Sequence, residues 1–267
     1  MSKLKYIYNF GANIGEDIPY YLKKGDVVIA VEANPILCRE IRERFHNEIN
    51  QSRLFVENCV LTSDQYYGEV PFYLHKQSHI ISQFPKPERS EIENFREVLL
   101  PSKTAVDIIK RYGPPYYIKI DLENYDHVIL RDLFKNKIYP DWISAESHTI
   151  EVFCLLVASN VYQSFNLVDG PYNEIKFKNF PIKTNSGIEN YSFPGNSSGP
   201  FGEDLITPWM TANNFFEFLA FEKLGWKDIH ATRLPIADNH CRISFNKYCQ
   251  SYILRKITPK ILRRFIK

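Results

Sequence analysis

The run Tyr6-Ile7-Tyr8-Asn9-Phe10-Gly11-Ala12-Asn13-Ile14-Gly15 decides how the rest of the chain is read. A short apolar, aromatic stretch of strand character ends in two glycines four apart, and an amphipathic stretch at 16–24 follows, closed by Gly25. That order is strand, tight turn, helix, the first βα unit of an open α/β sheet. Glycines in the turn let backbone pass close to a ligand, and the helix start offers unpaired N–H groups to its anionic part. A second strand at 27–31 runs straight into Glu32-Ala33-Asn34-Pro35. An acid at that strand tip is placed to hold the two hydroxyls of an adenosyl ribose.

The turn also says which nucleoside to expect. A dinucleotide site uses G-x-G-x-x-G, with the pyrophosphate over the helix start. Here Asn13 replaces the middle glycine and Glu16 the last. A carboxylate at Glu16 would repel a pyrophosphate. S-adenosylmethionine (SAM) carries no phosphate, so the pattern favours SAM over NAD.

Composition sets the class. The 267 residues are 44% hydrophobic and 24% charged, the make-up of an ordinary globular protein with room for a buried core. The net charge of +2 gives no nucleic-acid signature. Six of the basic residues and no acid fall in 253–267, so the rest of the chain is net acidic. The five cysteines (Cys38, Cys59, Cys154, Cys241, Cys249) are scattered, with no C-x-x-C pair, which points to free thiols in a reducing compartment. No leader precedes the first strand and no apolar run reaches transmembrane length, so a cytoplasmic protein is expected.

Further along, residues 36–49 alternate at helical spacing behind Pro35, and 53–60 reads as a third strand. Residues 69–74 read as a short antiparallel strand, 75–91 as a polar surface loop and 103–112 as a helix. A fourth core strand at 116–121 ends in Asp121, and a fifth at 142–146 ends in Glu146 with His148 just beyond. Residues 165–168 make a sixth. Ligands of open α/β sheets sit beyond the C-terminal strand ends. Asn9, Glu32, Asp121 and Glu146 on one such edge therefore form a constellation.

Four segments together resemble the FkbM family of SAM-dependent methyltransferases. They are residues 9–15, Val31-Glu32-Ala33-Asn34-Pro35, Ile118-Lys119-Ile120-Asp121-Leu122-Glu123 and Ala145-Glu146-Ser147-His148. The resemblance spans about residues 5–170 and implies a class I methyltransferase: a Rossmann-like, seven-stranded, mostly parallel sheet with helices on both faces. It implies O-methylation of sugars or natural-product hydroxyls. On that reading the cofactor contacts are Asn9, Gly11, Ala12, Asn13 and Gly15 in the first unit, with Glu32, Asn58 and Asp121 at later strand tips. Two positions depart from the family: Asn9 stands where an acid is usual, and Asn124 where a glycine is usual.

Residues 1–172 are thus expected to form the SAM-binding core. Residues 173–252 form a C-terminal extension, its Asn-, Ser-, Gly- and Pro-rich part a candidate substrate-covering loop before a helix at 209–224. Residues 253–267 read as a basic amphipathic tail, Thr258-Pro259 opening a short helix whose partner is the domain itself or an anionic membrane surface.

Methyl transfer to a hydroxyl needs the acceptor held in line and a base within reach. Asp121, Glu146 and His148 stand where that base would sit. Asp121 and Glu146 would also suit Mg²⁺, but no dedicated metal motif is visible and no metal ligand is assigned. The expected acceptor is a sugar, a glycan or a related small metabolite. A non-catalytic SAM- or nucleoside-binding module and an NAD-dependent oxidoreductase are the alternatives, the first favoured by Asn9 and the second disfavoured by Glu16.

Overall fold

A computed structural model describes residues 4–206, 208–222 and 224–237. Its centre is a seven-stranded sheet: β1 (Tyr6–Phe10), β2 (Val27–Glu32), β3 (Leu54–Asn58), β4 (Pro115–Ile120), β5 (Trp142–Ser147), β6 (Ser164–Asp169) and β7 (Gly225–Thr232). The spatial order is β3-β2-β1-β4-β5-β7-β6, parallel except for β7, which runs antiparallel to both its neighbours. This is the sheet the resemblance implies. The strand order reverses at β1, which opens a crevice above the tips of β1 and β4.

The strands are buried on both faces, so each feeds two cores. Tyr8 and Phe10 of β1 point into one, with the helices Ala105–Tyr112, Asp126–Lys135 and Glu151–Ala158; Ile7 points into the other, with helix α1 (Ile18–Lys24). Pro35 opens helix α2 (Pro35–Arg44), and the Asn34 side chain caps it by accepting from the Ile36 N–H at 3.0 Å.

Three expectations change. β7 sits between β5 and β6, so a sheet begun before residue 172 is completed by residues beyond it. Residues 173–206 pack beneath the second face: Phe201 stacks on Tyr117 with ring centres 3.8 Å apart, and Tyr20 and Lys24 of α1 bind Asp204. None of residues 173–206 lines the cavity above the strand tips. The strand Glu69–His75 is antiparallel as expected, in a separate three-stranded sheet with Val60–Thr62 and Phe95–Thr104. The loop after it, read as plain surface, brings residues 78–84 over the cavity.

The basic tail at 253–267, with its expected membrane contact, lies outside the described residues, as do Cys241 and Cys249. Cys38, Cys59 and Cys154 are free thiols. No helix among the described residues is long and apolar enough to cross a membrane.

Candidate functional site

A cavity of about 420 Å³ opens beyond the C-terminal tips of β1, β2, β4 and β5. Its first wall is the glycine turn. Gly11 has φ +82°, and a Cβ there would stand 1.9 Å from the Asp121 carbonyl oxygen, so only glycine lets this turn meet the end of β4. The Gly11 and Ala12 N–H groups donate to the Val31 carbonyl, and Asp121 N–H to Phe10. Gly15 serves packing instead: at φ +80°, a Cβ would stand 2.8 Å from Ile18 and 2.9 Å from Arg44.

Glu32 closes this wall. Its carboxylate accepts from the Asn13 and Asn34 backbone N–H groups, both at 2.8 Å. Burial pushes its pKa up to about 7, against the pull of those two N–H groups. Asn58 lies behind it, donating to the Glu32 and Ala33 carbonyls at 3.0 and 2.8 Å. From the cover, His79 Nδ1 meets Asn13 Oδ1 at 2.7 Å.

The second wall is a charge cluster. Lys119, only 4% exposed, sits two residues before Asp121, hence on the same face of the strand, and its ammonium lies 2.8 Å from Asp121 Oδ2. Burial works against that ammonium, but Asp121, Asp17 and Asp228 outweigh it and hold its pKa above the usual lysine range. Burial likewise opposes the Asp121 carboxylate, yet Lys119 keeps its pKa below the usual aspartate range. Glu146 goes the other way, pushed up to about 11 by burial, then by Asp121, Asp228 and Asp126. Glu123 is raised to about 8 by burial and by Asp121. His148 Nε2 lies 2.8 Å from Glu146 Oε2, out of hydrogen-bonding alignment, and 3.9 Å from Glu123 Oε2. Burial lowers its pKa, so the imidazole is neutral at pH 7.

The structure thus brings together Gly11, Asn13, Glu32, Asp121, Glu146 and His148 on one cavity. It keeps Asn9, Ala12, Gly15 and Asn58 off its lining. Asn9 is 1% exposed, its Oδ1 has no hydrogen-bond partner, and it lies beside Lys119 in the sheet. Ala12 is buried in the second core. These four shape the strand tips from behind, because their side chains or Cβ positions face packed protein. Asn124 has φ +72°, the left-handed conformation that glycine or asparagine adopts most readily.

Glu123, Glu146 and His148 hold three ligand atoms within 4.8 Å of one another, a set with the donors for a divalent cation. At Asp121, the expected Mg²⁺ partner, the positive charge is already supplied by Lys119.

Sequence reading missed Lys119, Glu123, His79 and Trp226. A lysine inside an apolar strand, two residues from a tip acid, was a readable signal for the first. His79 and Trp226 come from a polar loop and from the unread seventh strand, and nothing local marks them.

Among solved structures, the chain is similar to methyltransferase FkbM from Methylobacillus flagellatus KT (17% identity, TM-score 0.41), over 62% of this chain and 40% of that one. It therefore spans about two fifths of that structure's length. It is also similar to an O-methyltransferase from Bacillus cereus in complex with SAH (9% identity, TM-score 0.38, covering 86% and 74% of the two chains). A third is a precorrin-6y C5,15-methyltransferase from Geobacter metallireducens GS-15 (9%, 0.37, 86% and 81%). Comparison with curated proteins gives no match. The Methyltransferase FkbM domain, as a family model, matches residues 9–153. That match takes in the glycine turn, Glu32, the Lys119–Asp121 pair, Glu146 and His148, over more than half of the sequence, and the chain belongs to the FkbM methyltransferase family.

Proposed function

We propose that the protein transfers the methyl group of SAM to a hydroxyl of a sugar, a glycan or a related small metabolite. One observation carries this reading: a single cavity pairs a carboxylate fit for a ribose, Glu32, with a neutral imidazole, His148, at its far side. The residues fit SAM. Each Glu32 oxygen accepts one backbone N–H and keeps a lone pair for a ribose hydroxyl. Glu16 Oε1 is buried without a hydrogen-bond partner near the turn, a poor neighbour for the pyrophosphate of NAD.

When bound, SAM supplies an electrophilic methyl group on a sulfonium. The chain's own residues do the rest. His148 would take the proton that the acceptor hydroxyl gives up as it is methylated. The imidazolium then faces the carboxyls of Glu123 and Asp121, which stabilise it. Glu146 carries its own proton at neutral pH, so it adds no second anion beside Asp121. Residues 78–84 line the cavity on the side opposite the strand tips.

The test is transfer of labelled methyl from SAM to a panel of hydroxylated sugars and metabolites. His148→Ala is expected to lower turnover about 100-fold, the usual worth of a positioned base, while SAM affinity stays within two-fold. Because burial lowers the His148 pKa, the rate should rise with pH below 6.5 and level off by neutrality. A full rate in the variant would remove His148 from the reaction. The non-catalytic alternative draws on Asn9; SAM binding by calorimetry with no transfer to any acceptor would favour it.

A further inference from the structure

Trp226 stands at the mouth of this cavity in a position the fold takes trouble to build. β7 pairs with β5 as Gly225 opposite Ser147 and Asp228 opposite Glu146, so the register slips between them and Trp226 bulges out of the ladder. Its indole lies on Gly170, at the end of β6. A Cβ on Gly170 would stand 2.4 Å from Trp226 Nε1 and 2.6 Å from Cδ1, so the glycine is the bed on which the ring rests. Trp226 is nevertheless 47% exposed and lines the same cavity as Glu146 and His148, with Ile80 and Ile81 of the cover at 42% and 41%. A large aromatic left half in water, but fixed from behind, offers one apolar face to a ligand ring.

Charge narrows that ligand. Four carboxyl groups line the cavity (Glu32, Asp121, Glu123, Glu146), and no lysine or arginine does among the described residues. Lys119 lies beneath, already paired with Asp121. A phosphate or a nucleoside diphosphate on the acceptor would meet carboxyls and no counter-charge.

From this we infer that Trp226 is the acceptor platform, and that the acceptor is an uncharged glycoside whose ring or apolar aglycone stacks on it, rather than a nucleotide- or phosphate-linked sugar. The inference rests on the methyl-transfer reading above. Stacking on Trp226 would hold the sugar's hydroxyl toward His148, opposite the slipped register of β5 and β7.

The experiment offers a panel of hexopyranosides in three forms each: methyl glycoside, p-nitrophenyl glycoside and nucleoside-diphosphate sugar. The p-nitrophenyl form should show the lowest KM and the nucleoside-diphosphate form no turnover. Trp226→Ala should raise the KM for the p-nitrophenyl glycoside about ten-fold, the upper end of a ring–ring contact. Its kcat and SAM affinity should stay within two-fold, and Trp226→Tyr should restore most of the KM. Gly170→Ala, at a position outside the cavity lining that meets only the back of the indole, should reproduce the Trp226→Ala effect by pushing the ring aside. Preference for the nucleoside-diphosphate form, or an unchanged KM in Trp226→Ala, overturns the inference and leaves the methyl-transfer reading standing. SAM binding without transfer to any form overturns both.

Discussion

Glu32 and Glu146 are the same residue type, each at the tip of a core strand, each buried, each on the same cavity, yet their surroundings raise their pKa values by very different amounts. Glu32 receives two backbone N–H groups, and burial lifts its pKa only to about 7. Glu146 accepts no backbone N–H, stands among Asp121, Asp126 and Asp228, and is lifted to about 11. Position in the fold delivers a carboxyl to the cavity, and its immediate donors decide whether that carboxyl arrives as an anion. One end of the cavity is therefore suited to accepting hydroxyl hydrogens, and the other to keeping a proton in reserve.

The strongest way to break this contrast is to remove the one cation that organises the second wall. Lys119→Met leaves Asp121 without its partner 2.8 Å away, and stability should fall by about 3 kcal/mol, the low end for breaking an ion pair, because the ammonium is buried but the carboxylate is partly open to the cavity. Urea unfolding checks it; a loss under about 1 kcal/mol would mean that the carboxyls share protons without needing Lys119.

A smaller effect sharpens the first wall. Glu32→Ala should weaken SAM binding by about 1.5–3 kcal/mol, the worth of hydrogen bonds to a charged group. Calorimetry measures it, and unchanged affinity would place the ribose elsewhere.

The smallest effect at neutral pH is the most discriminating. Both carboxyls have folded pKa values raised above 4.5, so the folded state binds more protons than the unfolded one and stability falls as pH rises. For Glu32 that decline ends near pH 7; for Glu146 it continues toward pH 11. Glu146→Gln should thus barely alter activity at pH 7 and should flatten the loss of melting temperature between pH 7 and 9. Parallel pH–melting curves for variant and parent would show that Glu146 is ionised.

Much of this site was legible before any coordinates. Gly11, Glu32, Asp121, Glu146 and His148 announce themselves because apolar strands stop abruptly at polar residues, and an open sheet gathers those stops on one edge. What a linear reading lacks is depth. It names Ala12, Gly15 and Asn58 as cofactor contacts, whereas the structure puts them off the cavity lining, since a turn residue facing the cavity and one facing the core look alike in sequence. It took Gly11 as room for a ligand, and the nearer neighbour is the Asp121 carbonyl. β7 escaped notice because a strand flanked on both sides buries Asp228, His230 and Thr232 along with Ile229 and Ala231, which erases the alternation that reveals strands. The cover at 78–84 escaped because its contact with the glycine turn spans 66 residues of sequence.

The place of β7 in the sheet also sets a clock on how the molecule is made. β5 and β6 have no direct partnership, since the strand between them is the last of the seven in the chain. During synthesis, their facing edges stay unpaired until residues 225–232 have left the ribosome, and a sheet with open apolar edges is a template for the wrong partner. The strand that fills that gap carries Trp226 into the cavity mouth as it docks. A nascent chain therefore gains the last hydrogen bonds of this sheet and the Trp226 side of the cavity in one event, and until then the glycine turn and Glu32 can be in place while that side is open.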